Sequence, residues 1–274
     1  MQHLKTKQYG PVKAFELGYH WPGLPTFTVH IYYIDGLLID TGQYNCRQTV
    51  LSLFKQMPLQ QIALTHWHED HIGNVSTLYN HFHPVVFAHP LTAEKVRQGF
   101  DVMLYEKYFF GKIRPQDIPM QTLPEVIQTS KYSFVPIYTP GHSDDHHVYL
   151  EPNEGWLFSG DLFVSQRIKV FRKGENIWQQ IDSLKRVLDE DFDKVFCAHN
   201  PQVEFGRKSL ERKLDYFESF TEQVCFWYNQ GYKTAEIIQK MALKDKKMIN
   251  LMTGYDVSVH WMVGSVIKHL PVSL

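Results

Sequence analysis

Cysteine is scarce in this 274-residue chain: Cys46, Cys197 and Cys225 are far apart, form no Cys-x-x-Cys pair and are odd in number. That argues against a disulfide framework and for a reducing compartment. No apolar run approaches the ~18 residues needed to span a bilayer, and Met1-Gln2-His3-Leu4-Lys5-Thr6-Lys7 has no apolar segment behind its charges. A membrane partner is not expected, and a cytoplasmic location is. Charge of one sign is lacking too. Lys and Arg number 28 against 29 Asp and Glu, so no overall field draws the chain to nucleic acid. The partner expected is a small-molecule substrate, and nothing in the sequence sets an oligomeric state. Low-complexity stretches and internal repeats are absent, and 43% hydrophobic with 21% charged residues excludes a disordered chain. The length suffices to bury a full core.

Short runs rich in β-branched and aromatic residues predict strands at Phe27 to Ile34, Leu37 to Ile39, Ile62 to Leu64, Val85 to Ala88, Phe134 to Tyr138, Val148 to Leu150, Trp156 to Phe158 and Val195 to Ala198. Helical spacing of apolar residues predicts helices at Gln48 to Lys55, Asn74 to Phe82 and Trp178 to Leu188. A mixed α/β domain follows. Beyond His199 the strand signals stop, and Leu210, Leu214, Phe217, Phe220, Val224 and Trp227 mark a long amphipathic helix over Lys208 to Tyr228. Two further helices are expected, one capped by Thr234 after a break at Gly231, the other over Val257 to His269. We divide the chain into a catalytic domain, 1–205, and a C-terminal helical appendage, 206–274, packed on the core as a cap.

What is abundant is histidine, 15 residues, and they cluster. Leu64-Thr65-His66-Trp67-His68-Glu69-Asp70-His71-Ile72-Gly73 puts three histidines and an aspartate into six positions between a strand signal and a helix signal. Four such groups cannot be buried together without a large desolvation cost unless a cation removes it. Imidazole and carboxylate suit a borderline divalent ion such as zinc. Three more segments end strand signals with the same ligand types: Thr139-Pro140-Gly141-His142, Ser159-Gly160-Asp161 and Cys197-Ala198-His199. Glycine before His142 and Asp161 permits the close backbone approach of a crowded pocket. Cys197 reads as a buried core thiol and His89 as a satisfied or surface histidine.

In this order and spacing the motifs resemble the metallo-β-lactamase superfamily over about residues 12 to 205, with a glyoxalase II-like motif set. The resemblance implies a four-layer αββα sandwich with its site at the strand ends along one edge. It implies one metal on His66, His68 and His142, a second on Asp70, His71 and His199, and Asp161 bridging both. Asp40, Thr65 and Ser159 would orient those ligands from behind. Two divalent ions are implied, zinc first with iron or manganese as alternatives, and a bridging hydroxide would be the nucleophile. Asp70 would handle the proton. His146 follows His142 across Ser143-Asp144-Asp145, a departure from the family pattern that weighs against carrying over a support role.

The superfamily serves many substrates, so the fold does not name one. Retention of Asp161 points away from true β-lactamases, and His68 away from flavodiiron proteins. We therefore expect a hydrolase of ester, thioester or lactone bonds. The alternatives are a mononuclear-iron persulfide dioxygenase and a phosphodiesterase or nuclease of the same superfamily. A glyoxalase II-like thioesterase would need a glutathione-binding set of basic and aromatic residues, for which Arg167, Lys169, Arg172, Lys173 and Tyr44 are a loose candidate; a solvated charged strand explains the basic residues equally well. The aromatic segment Leu91 to Val126 is expected to line part of the cleft, with the C-terminal helices closing its far side.

Overall fold

The computed structural model describes residues 2–20, 27–245 and 247–270. Seven strands form one sheet: β1 (Gln2–Tyr9), β2 (Val12–Tyr19), β3 (Thr28–Ile34), β4 (Leu37–Ile39), β5 (Gln61–Ala63), β6 (Val85–Ala88) and β7 (Gln121–Thr122), side by side in chain order. The first four run antiparallel and the last four parallel. A second sheet joins β8 (Ile127–Gln128), β9 (Ser133–Tyr138), β10 (His147–Glu151) and β11 (Trp156–Gly160), with β13 (Lys194–Cys197) parallel to β11 at its edge. The short β12 (Phe171–Arg172) pairs with β14 (Val257–Ser258).

Alternation along the strands sorts side chains into layers, because successive residues of a strand face opposite sides. Val12, Ala14, Tyr32, Ile34, Leu37 and Ile39 meet Phe134, Tyr149, Trp156, Phe158 and Phe196 between the sheets. Their neighbours Phe15, Leu17, Ile31, Tyr33 and Leu38 face the other way. There they pack on helices α1 (Arg47–Phe54), α3 (Val75–Phe82) and α4 (Pro90–Gln98), which flank the one-turn α2 (Glu69–Ile72) and precede α5 (Leu104–Phe109). On the far side, Val148, Leu150, Leu157, Val195 and Cys197 pack on α6 (Ile177–Leu188), α7 (Gly206–Asn229), α8 (Thr234–Lys240) and α10 (Val259–Lys268), with α9 (Lys247–Met252) between the last two in sequence. The result is helix, sheet, sheet, helix, four layers in all. Full burial of each large apolar side chain in these layers contributes roughly 1.5–3 kcal/mol.

The hairpin of β1 and β2 has no counterpart among the predicted strands. β1 reads Gln-His-Leu-Lys-Thr-Lys-Gln-Tyr and is mostly exposed. As an edge strand studded with lysines it has no apolar face to announce it. Two tail boundaries also shift. Lys233, not Thr234, is the cap residue of α8, and its N–H donates to Glu236 Oε2 at 2.8 Å. Val257 and Ser258 leave the expected helix to pair with β12, so α10 starts at Val259 and Ser258 Oγ caps it by accepting from Trp261 N. Of the expected tail, residues 271–274 lie outside the described residues. The buried faces of α7, α8 and α10 share one apolar core with the second sheet.

Candidate metal centre

Five chain segments end at one edge of the two sheets. β5 leads into the His66–His71 loop, β4 into Asp40, β9 into His142, β11 into Asp161 and β13 into His199. All seven residues proposed from the sequence as ligands converge there. His68 Nδ1 lies 2.9 Å from both His66 Nε2 and His142 Nε2. Asp161 stands between two histidine sets: Oδ2 is 3.4 Å from His142 Nε2, while Oδ1 is 3.4 Å from His71 Nε2 and 3.3 Å from His199 Nε2. Asp70 completes the second set, Oδ1 3.8 Å from His71 Nε2 and Oδ2 3.5 Å from His199 Nε2.

The outward nitrogens are pinned, and that aims the inward ones. His71 Nδ1 donates to Asp40 Oδ2 at 2.7 Å. Thr65 donates to the same carboxylate through its N–H and its hydroxyl, both at 2.8 Å, and its Oγ1 lies 3.0 Å from His66 Nδ1. His199 Nδ1 donates to Thr28 O at 3.0 Å, and His142 Nδ1 faces Glu175 Oε2 at 3.5 Å. Asn74 Nδ2 reaches the carbonyls of Thr41, Gly42 and Gln43, tying the Asp40 turn to the histidine loop. Asp40 itself takes φ +58°, a backbone that aspartate tolerates better than most residues. Asp40 and Thr65 thus take the supporting places expected of them. Ser159 does not: its buried Oγ has no hydrogen-bond partner.

His146, which sequence reasoning undervalued, is completely buried behind Asp161. Its Nε2 accepts from Asp161 N at 3.0 Å, and Thr139 Oγ1 lies 2.8 Å from its Nδ1. Gly160 makes this possible. It has φ +45°, and a Cβ there would lie 2.7 Å from His146 Nε2. The signal available in the sequence was a histidine beside a strand start, next to a Gly-Asp pair elsewhere. Only the pairing of β9, β10 and β11 joins the two.

Electrostatics favour a cation. Burial, reinforced by neighbouring histidines, holds His66 well below the ordinary imidazole range; burial and then Arg172 do the same to His68. Both are neutral, as ligands must be. In the second set burial also opposes charge, but Asp40, Asp70 and Asp161 override it and raise His71 well above its usual value. Asp161 likewise drives His199 up to about 10 against burial. Burial raises Asp161, yet the charges of His199 and His71 hold it well below the carboxylate range. In the metal-free protein these carboxylates draw protons that a divalent cation would displace. His71 Nε2 and Asp161 Oδ1 are buried without hydrogen-bond partners, and such orphaned atoms are costly unless something fills the gap. Donor atoms of three sets, His66/His68/His142, His66/His71/Asp161 and Asp70/His71/His199, lie within 4.8 Å of one another in each set. The residues present fit a divalent metal.

A cleft of about 330 Å³ opens beside the first set, lined by Trp67, His68, His142, Arg172, Glu175 and Asp256 among others. None of its lining comes from Leu91 to Val126. From that segment Glu106 instead pairs with Arg172 Nη2, and from elsewhere in the chain Glu69 Oε1 lies 3.7 Å from Nη1 and Asp256 Oδ2 3.4 Å from Nε. Arg172, considered above for substrate, is thus engaged by three carboxylates. Lys173 also lines the cleft, whereas Tyr44 is bonded to Arg47 and Arg167 borders a separate groove. Asp256 brings the tail to the cleft, as β14 requires. A more open groove of about 900 Å³ between β1 and α1 has no histidine or carboxylate in its lining.

The family model described as the metallo-beta-lactamase superfamily matches residues 24–199. A "Beta-lactamase-like protein 2 homolog" of Drosophila melanogaster is 25% identical over 235 residues, covering 82% of this chain and 76% of its own. A "Hydroxyacylglutathione hydrolase" of Legionella pneumophila (strain Lens) is 28% identical over 199 residues, 69% of this chain and 65% of its own, just under two thirds of that relative. A metallo-beta-lactamase family protein from Thermus thermophilus superposes with a TM-score of 0.62 at 20% identity, covering 79% of this chain and 82% of that one. Matched over most of its sheet-bearing part and carrying every motif position at one strand edge, the chain belongs to the metallo-beta-lactamase superfamily.

Proposed function

We propose that the chain is a metal-dependent hydrolase that holds two divalent cations, zinc first, and cleaves an ester, thioester or lactone bond of a small molecule. His66, His68 and His142 hold one ion, Asp70, His71 and His199 the other, and Asp161 both. The observation that carries this is the position of Asp161, whose two oxygens face different histidine sets at 3.3–3.4 Å. Bound cations supply an acidified water and a polarised substrate oxygen. The chain's own residues do the rest. Asp70 Oδ2, 3.5 Å from His199, takes up and passes on the proton released in hydrolysis. The 330 Å³ cleft, with Trp67 on its wall, has the volume of a small-ligand site. The likeness to a protein named hydroxyacylglutathione hydrolase supports a thioester. Three cysteines free of disulfides agree with a reducing, cytoplasmic setting, and no helix among the described residues is long and apolar enough to cross a membrane.

The test is metal content per chain, followed by turnover of thioester, lactone, simple ester, phosphodiester and β-lactam substrates. Two ions with ester-type turnover support the proposal. One tightly bound iron, with oxygen consumed on a persulfide, replaces it with the dioxygenase. Phosphodiester cleavage alone replaces it with a nuclease.

A further inference from the structure

Directly after Asp161 the backbone is strained. Val164 has φ +51°, a left-handed conformation that β-branched residues rarely adopt and that persists only where the surroundings over-determine it. The surroundings include a lysine from the C-terminal tail. Lys213, on α7, is entirely buried, which is rare for a lysine. Its Nζ donates to Leu162 O at 2.6 Å and to Phe163 O at 3.0 Å, and it sits 5.0 Å from the centre of the Phe217 ring. Every donor of a buried ammonium needs a partner, and two carbonyls with an aromatic face supply them. Phe163 O also accepts from Ser165 N at 2.6 Å, and Leu162 N donates to Ser159 O at 2.9 Å. The segment is therefore held from both ends, by His146 at Asp161 N and by Lys213 at the two following carbonyls.

We infer that Lys213 is a positioning residue for the metal centre: from the helical tail it clamps the strained 162–164 turn so that Asp161 faces both histidine sets. The placement makes sense physically. A carboxylate shared by two ions must be fixed in rotation as well as in place, and its rotation is set by the backbone that carries it. Burial drives the Lys213 amine down to about 8, so the clamp is obtained at a desolvation cost. Lys213 lies outside the residues 24–199 matched by the family model. The tail thereby contributes to the site without supplying a ligand.

This inference rests on the two-ion proposal, and the experiment separates the two. Zinc is titrated into the metal-free chain of residues 1–274 against a competing chelator, with circular dichroism and the melting temperature recorded for each variant. Lys213→Met is expected to lower apparent zinc affinity by about tenfold or more, the scale of lost outer support at metal sites. Leu210→Ala empties a fully buried position on the same helix; it is expected to lower the melting temperature yet keep wild-type affinity. Val164→Gly, added to Lys213→Met, removes the strain and is expected to restore much of the affinity, whereas added to Leu210→Ala it is expected to raise the melting temperature and leave the affinity unchanged. It also serves if Lys213→Met alone misfolds. Wild-type affinity in Lys213→Met, equal losses in Lys213→Met and Leu210→Ala, or no rescue in the double variant each overturn the inference. A wild-type chain that binds no zinc overturns the two-ion proposal and the inference with it.

Discussion

Replacing Asp40 by asparagine removes one negative charge and one acceptor oxygen while changing almost nothing else. Asparagine tolerates the φ of +58° at this position, so the backbone need not move. The carboxylate accepts three hydrogen bonds, from Thr65 N, Thr65 Oγ1 and His71 Nδ1, at 2.8, 2.8 and 2.7 Å. An amide has one oxygen to offer and presents two donors in place of the other. The bond that fails is the one to His71, because the backbone N–H of Thr65 cannot move away, whereas the imidazole can rotate or change tautomer. His71 Nε2 then no longer points dependably at the second ion. Loss of such a carboxylate–histidine support typically weakens a metal about 10–100-fold, or ~1.4–2.7 kcal/mol. The assay is a zinc titration against a chelator, read as two separate sites. The weaker site is expected to be the one at Asp70, His71 and His199, with the site at His66, His68 and His142 much less changed. Equal affinity at both sites, within about twofold of wild type, would refute the argument.

Asp70→Asn keeps the size of the side chain but not its basicity; with metal still bound, turnover is expected to fall by about 100-fold or more, and unchanged turnover at full metal content removes Asp70 from proton handling. Zinc binding should weaken on acidification, since the metal-free chain holds a proton on His199, raised to about 10, and one on His71. Each bound proton must leave, so affinity drops by up to about tenfold per pH unit for each proton held; calorimetry in buffers of different ionisation enthalpy counts the protons, and none released would contradict this. Lys213 predicts a stability slope. Its amine falls from 10.5 to about 8 on folding, so between those values the unfolded chain binds the extra proton and stability rises with pH. The rise attributable to it is roughly 3 kcal/mol; in denaturant melts of the metal-free chain it should appear in the wild type and be missing from Lys213→Met, and parallel pH profiles for the two would contradict it.

Much of this protein is legible along the chain. The alternation of Tyr32, Tyr33 and Ile34, or of Phe196 and Cys197, fixes which residues lie between the sheets and which under the helices, because a strand's period is two and each face has one fate. Ligand chemistry is equally local: a loop with His66, His68, Asp70 and His71 cannot be buried without a cation, and the other three ligands each follow a strand. Local patterns say nothing, however, of groups that act across sheets. Which carboxylate meets which imidazole, and that His146 holds Asp161 while Ser159 holds nothing, follow from strand pairing over long separations. In the sequence Arg172 looks like a free candidate for substrate and Lys213 like an ordinary surface charge. Packing places one among three carboxylates and the other, fully enclosed, on the carbonyls behind Asp161. Residue type and spacing suffice to name the ligands, whereas the groups that aim them are chosen by tertiary contacts, since a hydrogen bond depends on proximity in space and not on distance along the chain.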